Sequence, residues 1–542
     1  MHWGIVSSMA RSLLLALLVT GLMIGLVGLS RAQVFSQVDQ QFFYVSPNGS
    51  DRNDGSISHP WATPNHAAGV LQAGQTVYLR TGRYALNQQI RARNAGTQKA
   101  WITYAAYPGE TAIIDATAIK VEPPSGSPPF AHDQGAFQLE NISYIRVQDL
   151  EIRNSYNSGL TVRNSHHIHL SRNKIANTFA PGIGVWDSRQ IKILGNTVTN
   201  TNAMEFAFPG FDKNTEPPHE AISLGSVTSF EVAYNRVHHV RKEGIDIKEA
   251  SKQGTVHHNY VHHAERQGLY VDSWRGVLED VELSHNVVYS CQGSGFAISV
   301  EGGAIARNIR FHHNLLYDNW GTGIFFSRWG NDGPRESIKI YNNTVHHNGI
   351  GKPKQGEKFY WLTGGLYLFS ENLRDVVIER NIFSENTGFQ IGYSDRYLKQ
   401  LSDRNANPHP KPGNINPKLT FKPSIKPNIA PIFNQKKIQI DRNLILGDND
   451  TQNPIYAGWA PDNFAHIYAT DGSSVMRKNP QFVDPTQGNF YLKSNSPAIA
   501  AHSSPGLHSQ APTLGAFPVG RNTPLWWQSD FPNNFSQESQ KY

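Results

Sequence analysis

Glu220, Glu243, Asp246, Lys248, Asp272 and Glu301 fall inside or beside short apolar runs, in the segments EAISLGS, EGIDIKEAS, RQGLYVDSW and GFAISVEGG. Three chemistries suit such residues. In β-elimination on a uronate polymer, a base removes the proton α to a carboxylate while a cation neutralises that carboxylate; Lys248, or an arginine such as Arg275 or Arg328, supplies the base. Calcium held by Glu220, Glu243, Asp246 or Asp272 supplies the cation, since it takes several carboxylate oxygens. In glycoside hydrolysis two carboxyl groups roughly 5 to 9.5 Å apart act as acid and as nucleophile or base, and Asp246, Asp272 and Glu301 permit such pairs. The third is sugar binding without chemistry, on the rings of Tyr270, Trp274, Trp320, Phe326 and Trp329, with His219 at the edge of the charged patch and Arg328 beside it.

The elements that must carry these residues are legible as a repeat. Asparagine returns at 173, 196, 235, 259, 286, 314, 343, 381 and 443, mostly 23 to 29 residues apart, with longer gaps after Thr201, Gly349 and Asp395. Ahead of most of them stands a short strand opening on Gly or a small residue: GLTVRN, GIGVWD, AISLGS, GIDIKE, GLYVDS, GFAISV and GIFFSR. Two columns are apolar throughout, Leu160, Ile183, Ile222, Ile245, Leu269, Phe296 and Ile324, and Val162, Val185, Leu224, Ile247, Val271, Ile298 and Phe326. Both must face a core. One such unit cannot bury its apolar face alone, so the units stack in parallel register, about 4.8 Å apart. The expected fold is all-β, a single-stranded right-handed parallel β-helix, with Asn at the left-handed bend and its amide bonded to the Asn of the next coil. A β-propeller would show periods near forty with hairpins, and does not fit.

The remaining strand positions then face solvent: Ser223, Asp246, Tyr270, Ala297 and Phe325 in one column, Gly225, Lys248, Asp272 and Ser299 in the other, with Glu220, Glu243 and Gln267 at the preceding bends. Asp246 and Asp272 should lie roughly 8 Å apart at Cα, and Lys248 directly beside Asp272 at roughly 5 Å. The plain alternative is solvated surface with an ordinary cross-strand ion pair, strongest for Glu249 and Glu301 beyond the strand ends; clustering on adjacent coils is what favours chemistry. The paired histidines (238–239, 257–258, 262–263, 312–313, 346–347) recur with the coil and read as turn packing.

Composition fits this frame. Of 542 residues 17% are charged, Gly and Pro number 46 and 31, and aromatics reach 11%, a balance favouring strands and turns. The single Cys291 excludes an intramolecular disulfide framework. Residues 1–32, with Arg11, an apolar run from Leu13 to Leu29 and Ser30-Arg31-Ala32, read as an export signal, giving a secreted, periplasmic or cell-surface protein with no stable membrane insertion once the signal is removed. The net charge of +6 suits an acidic polysaccharide as partner; export argues against nucleic acid, and the protein is expected to be a monomer. The expected organisation is a cap with the first coils at 40–140, a central β-helix with the groove at 141–400, a Pro/Lys-rich insertion at 401–440, last coils at 441–520 and a flexible tail at 521–542.

Residues 43–115, from FYVSPNGSDRNDG to GETAIID, resemble the opening coils of exported β-helix proteins, notably pectate lyases of polysaccharide lyase family 9. The stretch NPQFVDPTQGNFYLKSNSPAIAA from 479 looks like the last coil of many proteins in the same pectate-lyase-like superfamily. The resemblance implies a carbohydrate-active protein, and for family 9 a calcium site built from an acidic residue before one strand and an Asp-Asp-Gly-Trp-Asp cluster on the next coil. Here Glu243 matches the first, and RQGLYVD keeps only Asp272 of the second. GLYVDSW followed one coil later by ISVEGG is instead similar to β-helix glycosidases, whose acid and nucleophile come from successive coils; Asp272 aligns, and Glu301 is displaced by two positions. The expectation is an exported polysaccharide lyase acting on a uronate-containing polymer, with a glycoside hydrolase and a noncatalytic glycan-binding protein as alternatives.

Overall fold

The computed structural model describes residues 41–120, 134–351 and 364–393 apart from 209, 210, 213, 215 and 388, then 437–447, 478–499 and 513–517, with backbone alone at 455–457, 465–466 and 475–476. The export signal, most of the 401–440 insertion and the 521–542 tail lie outside the described residues. Each coil gives one strand to each of three 13-stranded sheets. In one coil these are Ile245–Lys248 in the groove sheet, Lys252–His257 in the broad sheet and Tyr260–Ala264 in the back sheet; the chain then returns to the groove sheet at Leu269–Asp272. The result is a right-handed parallel β-helix. Among the described residues no helix is long and apolar enough to cross a membrane.

The two inward columns stack as expected. Ile222, Ile245, Leu269, Phe296 and Ile324 pair in sequence, as do Leu224, Ile247, Val271, Ile298 and Phe326, and all are 0–1% exposed. Each contributes about 1.5–3 kcal/mol over an exposed side chain. The small residue opening each strand has a packing cause: a Cβ on Gly244 would stand 2.5 Å from the Val261 side chain, and one on Gly268 2.2 Å from that of Val288. Phe326, a sugar-stacking candidate, belongs to this core and is fully buried.

The asparagine ladder runs unbroken. Each amide from Asn173 to Asn381 donates from Nδ2 to Oδ1 of the Asn one coil on, and the backbone N–H donates to the same oxygen. The left-handed bend, however, sits one residue earlier, at Arg172, Gly195, Tyr234, His258, His285, His313, Asn342, Arg380 and Arg442. The preceding residue turns the chain so that the Asn side chain can point inward. A second ladder, Asn319, Asn348 and Asn386, begins at the backbone N–H of Cys291 and ends on Gln390.

The ends differ. Helix Pro64–Val70, capped by Thr63 Oγ1 accepting from the His66 N–H at 3.1 Å, covers the first coils with Ala67 and Ala68 buried. The stretch from 479, expected to close the stack as a last coil, forms an antiparallel pair, Phe482–Asp484 with Asn489–Leu492. It lies against the outer face of the back sheet, with Phe490 on Tyr317 and His346. That face carries an apolar stripe, Tyr317, Ile382 and Leu444, which the returning chain covers.

Candidate active site

Register places the charged residues as the repeat requires: Asp246 pairs with Ser223 and Tyr270, and Lys248 with Gly225 and Asp272. The side chains then choose unexpected partners. Lys248 Nζ lies 3.1 and 3.0 Å from the two Glu220 oxygens and 3.0 Å from Asp246 Oδ2, so it folds back over its own strand instead of joining Asp272 in a lateral ion pair. Ser223 Oγ donates to Glu220 Oε2 at 2.8 Å, and Lys242 approaches Glu220 Oε1 at 3.6 Å. Glu243 accepts from Gln267 Nε2 at 3.2 Å and faces Arg266 at 3.7 Å. Asp272 Oδ1 is buried without a hydrogen-bond partner. Glu301, on the bend after Phe296–Ser299, turns back over the sheet to accept from the Tyr270 hydroxyl, and from Ser299 Oγ at 3.4 Å.

The outward columns were expected to be wet, but Asp246 is 0% exposed and Asp272 3%. The strand positions do point outward; Lys248 and Glu220 close over Asp246 between Ser223 and Tyr270. Burial therefore governs the proton balance. It would raise the Glu220 carboxyl, but Lys248 and then Lys242 outweigh it, and Glu220 titrates well below the usual carboxylate range. Burial, with Glu220 and Asp272 adding to it, holds Asp246 well above its ordinary value despite Lys248. Asp272 is likewise held high by burial and by Glu301 and Glu220, with Lys248 opposing. Burial pushes Glu243 up to about 7, opposed by Lys242 and reinforced by Glu220. Burial also disfavours the Lys248 ammonium, yet Asp246, Glu220 and Asp272 overcome this and keep the amine protonated well beyond its normal range.

The structure thus unites Glu220, Glu243, Asp246, Lys248, Tyr270, Asp272 and Glu301. Tyr270, a stacking candidate, is 4% exposed and presents its hydroxyl to Glu301. Arg275 is exposed on the bend after Leu269–Asp272, outside the cluster. Trp274, on that bend, and Trp320, on the loop before Ile324–Phe326, stand at opposite rims of the groove sheet, 46% and 48% exposed. Arg328 is engaged by Asp332 and Glu371 and lies over the Phe369 ring. His219 packs on Trp186 at 4.6 Å, and Glu249 occupies a left-handed turn. His238 and His239 stack on His262 and His263 one coil on, and His258 and His313 on His285 between them, whereas His346 meets Phe482 and Phe490 and His347 bonds to Asp318.

Sequence reading did not single out Lys242, Arg266, Trp186 or Gly330. Their signal was position: Lys242 and Arg266 each precede an acidic or amide residue at the bend before a groove strand. Gly330 is required by close approach, because a Cβ there would stand 2.2 Å from the Glu301 carbonyl oxygen. Its left-handed conformation lets the next bend seat under Glu301.

Calcium takes six to eight oxygen ligands. Glu220 and Asp246 instead close on an ammonium, and Glu243 on an amide and a guanidinium. Among the described residues no three His, Cys, Asp or Glu are grouped to hold a metal ion. As arranged, the donor set does not fit calcium.

Residues 43–216 match the family described as Pel9A-like, right-handed β-helix region, and 134–311 and 249–345 match the right-handed β-helix region family. The chain is a right-handed β-helix protein that is similar to pectate-lyase-like families over residues 43–345. YwoF of Bacillus subtilis strain 168 is 28% identical over 397 residues, 65% of this chain and 79% of that protein. Pectate lyase PEL9 of Emericella nidulans is 33% identical over 124 residues, 23% of this chain and 30% of the lyase. Among solved structures, pectate lyase Pel9A overlays with a TM-score of 0.46 at 14% identity, covering 90% of this chain and 98% of Pel9A. XylC in complex with xylose gives 0.43 at 12%, covering 77% and 86%.

Proposed function

We propose that the protein is an exported carbohydrate-active enzyme that hydrolyses glycosidic bonds with Asp272 and Glu301 as its carboxyl pair. One observation carries the choice of reaction: Lys248, the best-placed amine, is held as an ammonium between Glu220 and Asp246, so the cluster offers carboxyl groups and no free amine. Burial and the neighbouring Glu301 disfavour the Asp272 anion and hold its carboxyl well above the ordinary range, so Asp272 is the group suited to carry a proton. It delivers that proton to the glycosidic oxygen as the bond to the anomeric carbon breaks. Glu301, steadied by the Tyr270 and Ser299 hydroxyls, meets the carbocation-like centre, either bonding to it or taking a proton from the attacking water. Water supplies the new C–O bond, and the Asp272 proton leaves with the departing sugar.

A second reading, β-elimination on a uronate polymer, is supported by the match of residues 43–216 to the Pel9A-like family and by the likeness to PEL9. Mature protein incubated with pectate, alginate and neutral glycans, with and without a chelator, separates the two. Hydrolysis yields reducing ends without ultraviolet absorbance and is indifferent to the chelator. Unsaturated, ultraviolet-absorbing products that vanish with the chelator would establish the elimination and its calcium instead.

A further inference from the structure

Along the groove sheet, the outer face changes character on both sides of the charged cluster. Toward the N-terminal coils, the Trp186 ring occupies the space beside Lys248 that Gly225 leaves empty; a Cβ on Gly225 would stand 2.0 Å from Trp186 Cζ3. His219 packs on that ring at 4.6 Å. Toward the C-terminal coils, Tyr270, Ala297, Phe325 and Tyr367 are lateral neighbours and form an apolar cluster of their own, separate from the main core. Trp329 roofs it, 5.9 Å from Tyr270 and 5.6 Å from Phe325. At the bend side, Arg266 pairs with Glu216 while facing Glu243. Between the two walls the polar floor spans the coils of Ser223, Lys248, Asp272 and Ser299, about 14 Å from the first strand to the last at 4.8 Å per coil.

We infer that the site is a blind pocket taking a chain end, so that the enzyme trims terminal sugars and does not cut within a polymer, with Trp186 and Trp329 as the residues that impose this. The inference rests on the hydrolytic reading above. A polymer threading the groove must continue past the cluster along the stack in both directions, and an aromatic wall stands across each.

The test uses the mature chain on neutral and acidic polysaccharides and on matching oligosaccharides blocked either at the reducing end by a fluorophore or at the other end by an acetal. A monosaccharide or disaccharide should be the sole small product from the earliest time point. Blocking one end should lower turnover by at least about 100-fold, because a terminal ring that cannot enter forfeits both binding and reaction, while blocking the other should change it by no more than about twofold. Early intermediate-length oligosaccharides, or comparable cleavage of both blocked substrates, would overturn the inference. Trp186→Ala should open one wall and bring intermediate lengths into the products; Trp329→Ala repeats the test at the other wall should either variant fold poorly. Unsaturated products would overturn the hydrolytic reading alone, leaving the pocket to be judged by product length; failure to cleave any glycan would overturn both.

Discussion

At the corner between the broad and back sheets, Tyr234, His258, His285 and His313 stack ring on ring at 5.1, 4.9 and 5.1 Å. On the outer face of the back sheet, His238, His262, Tyr289 and Tyr317 do the same at 5.0 Å each. The groove sheet's outer column instead runs Ser223, Asp246, Tyr270, Ala297, Phe325, with no residue type repeated. A parallel stack is satisfied most simply by placing like on like, since ring faces ring and amide faces amide at the coil spacing. Chemistry needs unlike groups side by side: a proton donor, an anion and a cation within reach of one bond. Histidine, the residue type usually suspected first, is architectural here because it repeats.

That contrast predicts which substitutions silence the protein and which unfold it. Asp272→Asn and Glu301→Gln should each lower turnover by about 10³-fold, about 4 kcal/mol in the barrier, while the urea midpoint barely moves. A variant retaining activity removes its residue from the pair. Lys248→Met should act on both properties, since it leaves Glu220 and Asp246 enclosed without their cation; about 3–5 kcal/mol of stability is lost. Adding Glu220→Gln to Lys248→Met should restore part of it, and a double variant no better than the single would show that Lys248 acts otherwise than by neutralising Glu220.

The fold was readable because burial repeats with a period of two in every coil; Ile245, Ile247, Leu269 and Val271 could face nowhere else. The bend was misplaced by one residue because the left-handed position accepts Arg172, Tyr234 or His258 alike, and leaves no pattern. The second ladder did leave one: Asn319, Asn348 and Asn386 each follow a first-ladder Asn by 5 residues. At the site, strand register was legible but side-chain direction was not. Backbone geometry set Lys248 beside Asp272, whereas its long stem reaches back to Glu220 on an earlier coil. The enclosure of the cluster was hidden too, because its walls come from Trp186, His219 and Trp329, far apart in the chain.

Glu243 offers a finer probe of the unlike-neighbour rule. Its carboxyl rises from 4.5 to about 7 on folding, so between those values the folded protein holds a proton that the unfolded chain has released. The resulting stability is fully present below pH about 4.5 and disappears as pH rises through about 7, an effect on the order of 3 kcal/mol. Glu243→Gln should flatten urea midpoints measured across that window. An unchanged slope would mean that the remaining high-titrating acids, Asp246 and Asp272, carry the pH dependence.

Substitutions in the repeating columns should have the smallest effects, and buried repeats should differ from exposed ones. Asn286 donates to Asn314 Oδ1 and to the Val256 carbonyl, and accepts from the Asn259 backbone and amide. Asn286→Ala should cost about 2 kcal/mol, because the groups it deserts are buried and find no water. His285, one residue earlier, is exposed and gives up ring contacts to His258, His312 and His313. His285→Ala should therefore cost under about 1 kcal/mol, with turnover unchanged. Were His285→Ala to reduce turnover while Asn286→Ala did not, repetition would no longer mark architecture, and the stacked histidines would have to be counted among the working residues.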